Sequence, residues 1–282
     1  MQAGKGLIRA QRLVASASGV SRRAADDLIG AGRVTSGGVK VALGQALSPT
    51  SEISVDGKQI FGGGVPPPPV YLAFHKPPSV LSAWRDASSQ TTLTDVLTQF
   101  PPPVRPAVAL PRLLHVGRLD FESEGLLLLT SNGVWANSIS HPSQEVEKRY
   151  VVACSRAVPG GAAARYEHTR ALCRALERGV ALEGEDRPAR AAAAVPLGYE
   201  AAKDAFSACR APLPGQAQAS SLEYLQVTLR GEGRHRVVRR MLLASGYTVK
   251  RLLRTSVGGV TLEGIAWGKC RALRPQEVKL FM

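Results

Sequence analysis

The chain has 282 residues, 44% of them hydrophobic, and a formal net charge of +14. This length allows one large domain and a small one. No apolar run approaches the roughly 20 residues that span a bilayer, so we expect no membrane segment, and the charge favours polyanionic partners. The charge is concentrated near the ends: residues 230–282 carry 12 Lys and Arg against 3 Asp and Glu, whereas residues 65–229 carry 16 against 15. We therefore expect a nucleic-acid surface.

The first part of the chain has the pattern of a small α/β domain, which we place at residues 1–61. Apolar spacing predicts a helix at 8–18 and a second at 22–31, with Ser21 as its N-cap and Gly32 after its end. Short alternating stretches predict strands at 33–34, 39–41 and 52–55.

A linker follows the small domain. Residues 62–69, GGGVPPPP, combine flexible glycines with extended prolines, which predicts a semi-stiff tether. A proline-rich ligand for a signalling module is the alternative, and no other feature supports it. The second domain is therefore predicted to span residues 70–282.

The second domain mixes strands and helices without a regular βαβ period. Strands are predicted at 70–74, 125–130, 148–153, 224–229 and 248–253, and helices at 92–97, 162–178 and 236–244. A turn is predicted at 131–133, and residues 206–220 resemble a flexible loop insertion. This pattern predicts an α+β fold with a mixed or antiparallel sheet.

The polar loop at residues 117–124 places one aspartate, Asp120, directly before an apolar stretch at 126–129. A single aspartate in a loop is most often a turn residue. The longer stretch HVGRLDFESEGLLLLTSNG resembles the signature of the pseudouridine synthases, in the branch that modifies ribosomal RNA. That resemblance implies that Asp120 is the essential catalytic residue, that Arg118 contacts RNA beside the position emptied by the target base, and that Leu119 lines the pocket.

Three further motifs occur in family order. The stretch YLAFHKPPSV resembles the first catalytic-domain motif and retains Lys76, whose implied role is structural or phosphate-facing. The KRY run contains Tyr150, which the resemblance places against the target base, where an aromatic ring can stack on an extruded pyrimidine. The run GEGRHRVVRRM resembles the C-terminal motif, which implies Val238 in the pocket and Arg239 beside the catalytic carboxylate. RNA contacts in this run are expected from Arg234 and Arg236.

The N-terminal pattern SRRAADDLIGAGRV resembles the small RNA-binding module named after ribosomal protein S-four. In that family two helices present a basic groove to structured RNA. The basic positions that match are Arg9, Arg12, Arg22, Arg23 and Arg33. Solubility is the alternative explanation for these arginines. Adjacent arginines at a helix start oppose the positive end of the helix dipole, and a phosphate bound there would explain their placement.

Formation of pseudouridine breaks the N1–C1′ bond of uridine, turns the uracil and joins its C5 to C1′. The reaction needs no redox step and no phosphate donor, so we expect no cofactor and no metal, and the scattered cysteines lack metal-binding spacing. Asp120 can attack C1′ or remove the C2′ proton, and both roles require an ionised carboxylate. Because a dry pocket disfavours that charge, we expect a guanidinium close by. The resemblance identifies it as that of Arg239.

Three other functions are compatible with parts of the sequence. A glycosidase could use Asp120, Glu122 and Glu124, but paired carboxylates must face each other across a sugar, which one short loop does not guarantee. An RNA methyltransferase would need a Gly-rich cofactor loop, and the chain has neither G-x-G-x-x-G nor G-x-x-x-x-G-K-[ST]. A non-catalytic RNA-binding assembly protein would also explain the charge.

The resemblance therefore predicts an enzyme that isomerises a uridine of ribosomal RNA. His141-Pro142-Ser143 before the KRY run is closer to the large-subunit branch than to the small-subunit branch, which is the alternative. The expected partner is ribosomal RNA or a pre-ribosomal particle, and the expected state is a monomer. In a bacterium we expect the cytoplasm, and in a eukaryote a plastid or mitochondrion.

Overall fold

The computed structural model describes residues 6–18, 20–61, 68–99, 113–156, 162–209, 213 and 221–282. These residues form two compact units, a first that contains 6–61 and a second that contains 70–99 and 114–282. Most of the predicted linker lies outside the described residues. Among the described helices, none combines the length and apolar composition needed to cross a bilayer.

The first unit packs two short helices on small sheets. Its elements are β1 (Ile8–Arg9), α1 (Ala10–Ser18), α2 (Arg22–Gly30), β2 (Val34–Ser36), β3 (Val39–Lys40), β4 (Ala46–Leu47), β5 (Ile53–Val55) and β6 (Lys58–Phe61). One antiparallel sheet has the order β3-β2-β5-β6, and β1 pairs with β4. Both predicted helices are confirmed, and the Ser21 side chain accepts a hydrogen bond from Ala24 N at 3.1 Å as the cap of α2. Val14, Ile29 and Ile53 lie in the core.

The second unit is built on one large sheet. Its strands are β7 (Tyr71–Lys76), β8 (Leu114–Val116), β9 (Glu124–Thr130), β10 (Lys148–Arg156), β11 (Ala193–Leu197), β12 (Glu223–Leu229), β13 (Tyr247–Val257), β14 (Val260–Thr261) and β15 (Cys270–Ala272). Its helices are α3 (Leu93–Leu97), α4 (Gly133–Ser140), α5 (Ala162–Arg178), α6 (Tyr199–Phe206), α7 (Val237–Ala244) and α8 (Pro275–Lys279). The mixed sheet and its helices confirm the predicted α+β class.

The strand order of the sheet places a parallel junction near its middle. The order is β11-β12-β10-β13-β9-β7-β15, with β8 on β9 and β14 on β13. Every pairing is antiparallel except that of β13 with β9, which joins Leu253 to Glu124 and Arg254 to Gly125. The chain enters β9 from the Asp120 loop, so this junction fixes where the loop ends.

Gly125 is required at this junction. Its φ is +109°, and a Cβ there would lie 2.3 Å from the carbonyl oxygen of Arg254. A side chain would therefore force β9 and β13 apart, because that contact is with backbone. The two strands can approach only with glycine at the position directly after Glu124.

Two local predictions were wrong. Residues 131–133 do not form a simple turn: Asn132 caps α4 and accepts hydrogen bonds from Val134 N and Trp135 N. The predicted loop insertion begins inside the core, because Phe206 ends α6 fully buried, and Cys209 and Leu213 are also buried. Residues 210–212 and 214–220 lie outside the described residues.

Candidate active site

The Asp120 loop connects β8 to β9 and is tied to the segment after β7. The Ser82 hydroxyl donates to Leu119 O at 2.8 Å and accepts from Leu119 N at 3.1 Å. Ser79 N donates to Phe121 O at 2.8 Å, on the other side of the aspartate. The backbone on both sides of Asp120 is thus fixed by neighbours distant in sequence, which orients the carboxylate.

Lys76 supports the same loop from the interior. Its side chain is fully buried, and its ammonium donates to Pro77 O and Ser123 O, both at 2.8 Å, with Phe121 O at 3.5 Å. Burial, together with the nearby positive charge of Arg254, lowers the pKa of Lys76 to about 7. Because its donors face loop carbonyls, Lys76 agrees with the structural one of its two implied roles, and its full burial argues against the phosphate contact.

Two arginines and a serine surround the Asp120 carboxylate, whose side chain is 18% exposed. Arg239 Nε lies 3.6 Å from Asp120 Oδ2, and Arg236 Nη1 lies 4.0 Å from the same oxygen. Ser123 Oγ is 3.5 Å from Oδ2 and 3.3 Å from Arg239 Nη2. The structure therefore brings together the carboxylate and the guanidinium that the resemblance paired.

Helix α7 positions Arg239 by burying its own apolar side. Val238, Met241 and Leu242 are buried, which leaves the Arg239 side chain 12% exposed and directed at the loop. Burial lowers the pKa of the Arg239 guanidinium, while Glu122 acts in the opposite direction. Val238 is buried as expected for a pocket residue, and its contact with a base stays a prediction.

Arg236 precedes α7 with an unusual backbone. Its φ is +51°, which is uncommon for a residue other than glycine. Its guanidinium bonds Glu122 Oε2 at 2.8 Å, an interaction that raises the pKa of Arg236 and lowers that of Glu122. Glu122 therefore serves as the partner of Arg236, and the RNA contact of Arg236 stays a prediction.

Arg234 and Arg240 brace α7 and its approach against residues 183–188. Arg234 donates to Arg187 O at 2.7 Å and forms a close ion pair with Glu232. Arg240 Nη1 bonds Glu185 Oε1 at 2.6 Å. The RNA contact predicted for Arg234 is therefore not supported, because its guanidinium is engaged within the protein.

Tyr150 lies in β10, where its residue is 8% exposed. Its register partner in β13 is Arg254, and paired residues on antiparallel strands direct their side chains to the same face of the sheet. Arg254 Nη1 in turn donates to Arg118 O at 3.4 Å, in the Asp120 loop. Tyr150 is thus linked to the loop through Arg254, and its contact with a base stays a prediction.

Two further predicted site residues lie in the loop itself. The Arg118 side chain is exposed and Leu119 is buried.

Sequence reasoning missed Arg254 and the serines that orient the loop, Ser82 and Ser123. Arg254 is 1% exposed within β13. The available signal was an arginine inside the apolar run LLRTSV, because charged residues are almost never fully buried unless paired. Single serines in loops carry no comparable signal.

The N-terminal arginines belong to the first unit. Four of them are exposed, namely Arg9, Arg22, Arg23 and Arg33. Arg12 is half-buried. Arg33 donates two hydrogen bonds to Asp56, from Nε at 2.8 Å and from Nη2 at 2.5 Å, and Arg9 donates to Gly44 O. Arg22 and Arg23, at the start of α2, make no ion pair with another described residue. Their RNA contacts stay predictions.

Lys76 should make the stability of the protein depend on pH. Between about pH 7 and 10 the unfolded chain binds a proton at this lysine that the folded chain does not, because folding lowers its pKa to about 7. The free energy of unfolding should therefore rise with pH across this window, by up to about 1.4 kcal/mol per pH unit from this group. Below pH 7 both states are protonated, and the slope from this group vanishes. Denaturant titrations of Lys76→Met should lack this rise, and equal slopes in the two proteins would contradict the assignment.

Comparison with known proteins identifies a family model that matches residues 70–244, described as RNA pseudouridylate synthase. The matched range contains the Asp120 loop, Tyr150 and Arg239. A solved structure titled "Crystal structure of pseudouridylate synthase" aligns with 98% of this chain and 100% of its own, with a TM-score of 0.56 and 24% identity. That likeness concerns the fold alone.

Two relatives match almost the whole chain. The ribosomal large subunit pseudouridine synthase B of Bacillus subtilis is 33% identical over 273 residues, which cover 96% of this chain and 94% of the relative. An uncharacterized RNA pseudouridine synthase of Mycobacterium bovis is 35% identical over 273 residues, with 96% and 91% coverage. Both alignments therefore extend beyond the range of the family model.

Proposed function

The chain belongs to the RNA pseudouridylate synthase family, and from that premise we propose that it isomerises a uridine of large-subunit ribosomal RNA through Asp120. The observation that carries the role of Asp120 is its placement 3.6 Å from the Arg239 guanidinium, in a loop tied on both sides. The Arg239 guanidinium gives this carboxylate a fixed positive partner. Such a pair suits both attack on C1′ and removal of the C2′ proton.

Two observations support ribosomal RNA of the large subunit as the substrate. The B. subtilis relative carries that substrate in its name and aligns over 96% of this chain. The net charge of +14 suits a polyanion, and the exposed arginines of the first unit suit RNA phosphates. A uridine in a loop is the expected target, because loop bases cost less to unstack and extrude.

The direct test is the reaction of the purified protein with transcripts of small-subunit and large-subunit ribosomal RNA. Pseudouridines are mapped by carbodiimide labelling and primer extension. We expect modification of one position in the large-subunit transcript, without added cofactor and unaffected by a chelator. Modification of the small-subunit transcript alone would contradict the proposed substrate. Tight binding of RNA without modification of either transcript would favour a non-catalytic assembly protein.

The first unit should contribute affinity through Arg22 and Arg23. Changing both to Ala should weaken RNA binding and reduce the slope of log K against log salt, by about 0.7–0.9 for each phosphate that the protein no longer neutralises. Arg33→Ala is the matched control, because Asp56 already neutralises that guanidinium, and its effect should be smaller. Filter binding at several salt concentrations measures the slopes. An unchanged slope for the double variant would show that these arginines serve solubility.

A further inference from the structure

Arg254 is a buried cation for which the described residues supply no counter-ion. Its Nε donates to Leu126 O at 2.7 Å and its Nη1 to Arg118 O at 3.4 Å, so both bonds end on backbone carbonyls. Its Nη2 is buried and has no hydrogen-bond partner in the part of the chain that the structure describes. Within the part of the second unit that the structure describes, no carboxylate forms an ion pair with Arg254.

Arg251, three residues earlier in β13, has the opposite environment. Its Nε donates to the buried Glu124 carboxylate at 2.8 Å, and its guanidinium lies 4.3 Å from the centre of the Phe206 ring. Residues separated by three positions in a strand point to opposite faces of the sheet. One face of β13 therefore carries a neutralised arginine, and the other face carries an arginine to which no described carboxylate is paired.

The surroundings of Arg254 increase its cost. After burial, the positive charge of Arg254 contributes to lowering the pKa of Lys76 and the pKa of Lys148, so both lysines lie within electrostatic reach of Arg254. A buried charge without a partner is destabilising. A buried polar group left without a partner is a candidate for a catalytic role, because a ligand or transition state can supply the missing charge.

The position of Arg254 indicates which charge is missing. The residue bonds the Asp120 loop through Arg118 O, and its side chain lies on the same face of the sheet as Tyr150. The guanidinium is therefore between the strand that carries the proposed stacking surface and the loop that carries the proposed carboxylate. A base held against Tyr150 would be close to this cation.

The proposed reaction creates a negative charge at such a base. When the N1–C1′ bond breaks, its electron pair stays on N1 and spreads onto O2 and O4 of the uracil, while Asp120 either bonds to C1′ or accepts the C2′ proton. As the later C5–C1′ bond forms, the C1′–Asp120 bond breaks in the first route, and the C2′ proton returns from Asp120 in the second. The proton on C5 is then lost and N1 gains one, so no oxidant is needed. Both routes pass through an anionic uracil.

We infer that Arg254 stabilises the negative charge that develops on the uracil ring during cleavage of the N1–C1′ bond, an inference that rests on the proposed function. The attraction between the guanidinium and the uracil anion is strong because charges inside a protein are screened less than charges in water. Removal of one preorganised electrostatic group at an active site typically costs about 10²–10³ in kcat. Arg254→Gln should therefore lower the single-turnover rate by about that factor, and Arg254→Lys, which keeps the charge, should lower it less.

The discriminating experiment compares uridine with 5-fluorouridine at the target position of the same RNA. Fluorine withdraws electrons and stabilises the uracil anion without help from the protein. The factor by which Arg254→Gln lowers the single-turnover rate should thus be at least tenfold smaller with 5-fluorouridine than with uridine. The rate is measured as the loss of the N-linked nucleoside. Arg251→Gln is the matched control and should show the same defect with both nucleosides, because its partner is Glu124.

Equal defects for Arg254→Gln with the two nucleosides would overturn the inference and leave Arg254 as a support for the loop. If Arg254→Gln does not fold, the same comparison is made with Arg254→Lys. The lysine charge lies at a different position from the guanidinium, so the loss of rate should still be larger with uridine than with 5-fluorouridine. The proposed function fails by a different result, in which wild-type protein modifies neither nucleoside.

Discussion

Asp120→Asn should abolish pseudouridine formation while the protein still folds and binds RNA. Asparagine keeps the size and shape of the side chain but removes the charge needed for attack on C1′ or for removal of the C2′ proton. The loss should be on the order of 10⁴-fold or more. It is measured as pseudouridine formed in a single turnover, with melting temperature and RNA affinity recorded for the same preparation.

Glu122→Gln is the matched control for this change. Glu122 lies in the same loop, but its side chain is 53% exposed and bonds Arg236. We expect its activity to stay within a few-fold of wild type, because the half-exposed Glu122 carboxylate hydrogen-bonds Arg236 and no described contact joins it to the target pocket. If Glu122→Gln abolished turnover and Asp120→Asn did not, the assignment of the reacting carboxylate would be wrong. The alternative with paired carboxylates, as in a glycosidase, would then be favoured.

The sequence predicted the parts of the fold that depend on local pattern. Both helices of the first unit and α5 were predicted from apolar spacing, and α5 was predicted at its observed bounds. Asn132 shows the limit, because a Ser-Asn-Gly run is equally typical of a turn and of a helix cap. Which one forms depends on whether the following apolar residues find a core, and Trp135 does.

The candidate site shows the same contrast between features that a local pattern predicts and features that distant contacts determine. The pairing of Asp120 with Arg239, 119 positions apart, came from resemblance and not from spacing. The environments of Lys76, Arg234 and Arg254 could not be predicted, because each is set by carbonyls or carboxylates supplied by distant segments. A motif gives the identity of a charged residue, whereas burial and partners decide whether it meets RNA, the loop or the reacting base.

Arg239→Ala should nearly abolish turnover by acting on Asp120. Without the guanidinium the partly buried carboxylate loses its closest cation and the favourable interaction with it. Arg236 cannot replace it fully, because its Nη1 lies 4.0 Å from Asp120 and is bound to Glu122. We expect kcat to fall by about 10²–10³. RNA affinity should change little, since the Arg239 side chain is 12% exposed.

Substitution by lysine separates an electrostatic role of Arg239 from a structural one. If the positive charge beside Asp120 is what matters, Arg239→Lys should keep clearly more activity than Arg239→Ala, since it retains a cation. Arg170→Ala, which removes a half-exposed guanidinium from α5, is the control and should match wild type. Equal losses of activity in the two Arg239 variants would mean that Arg239 shapes α7 and does not act through its charge on Asp120.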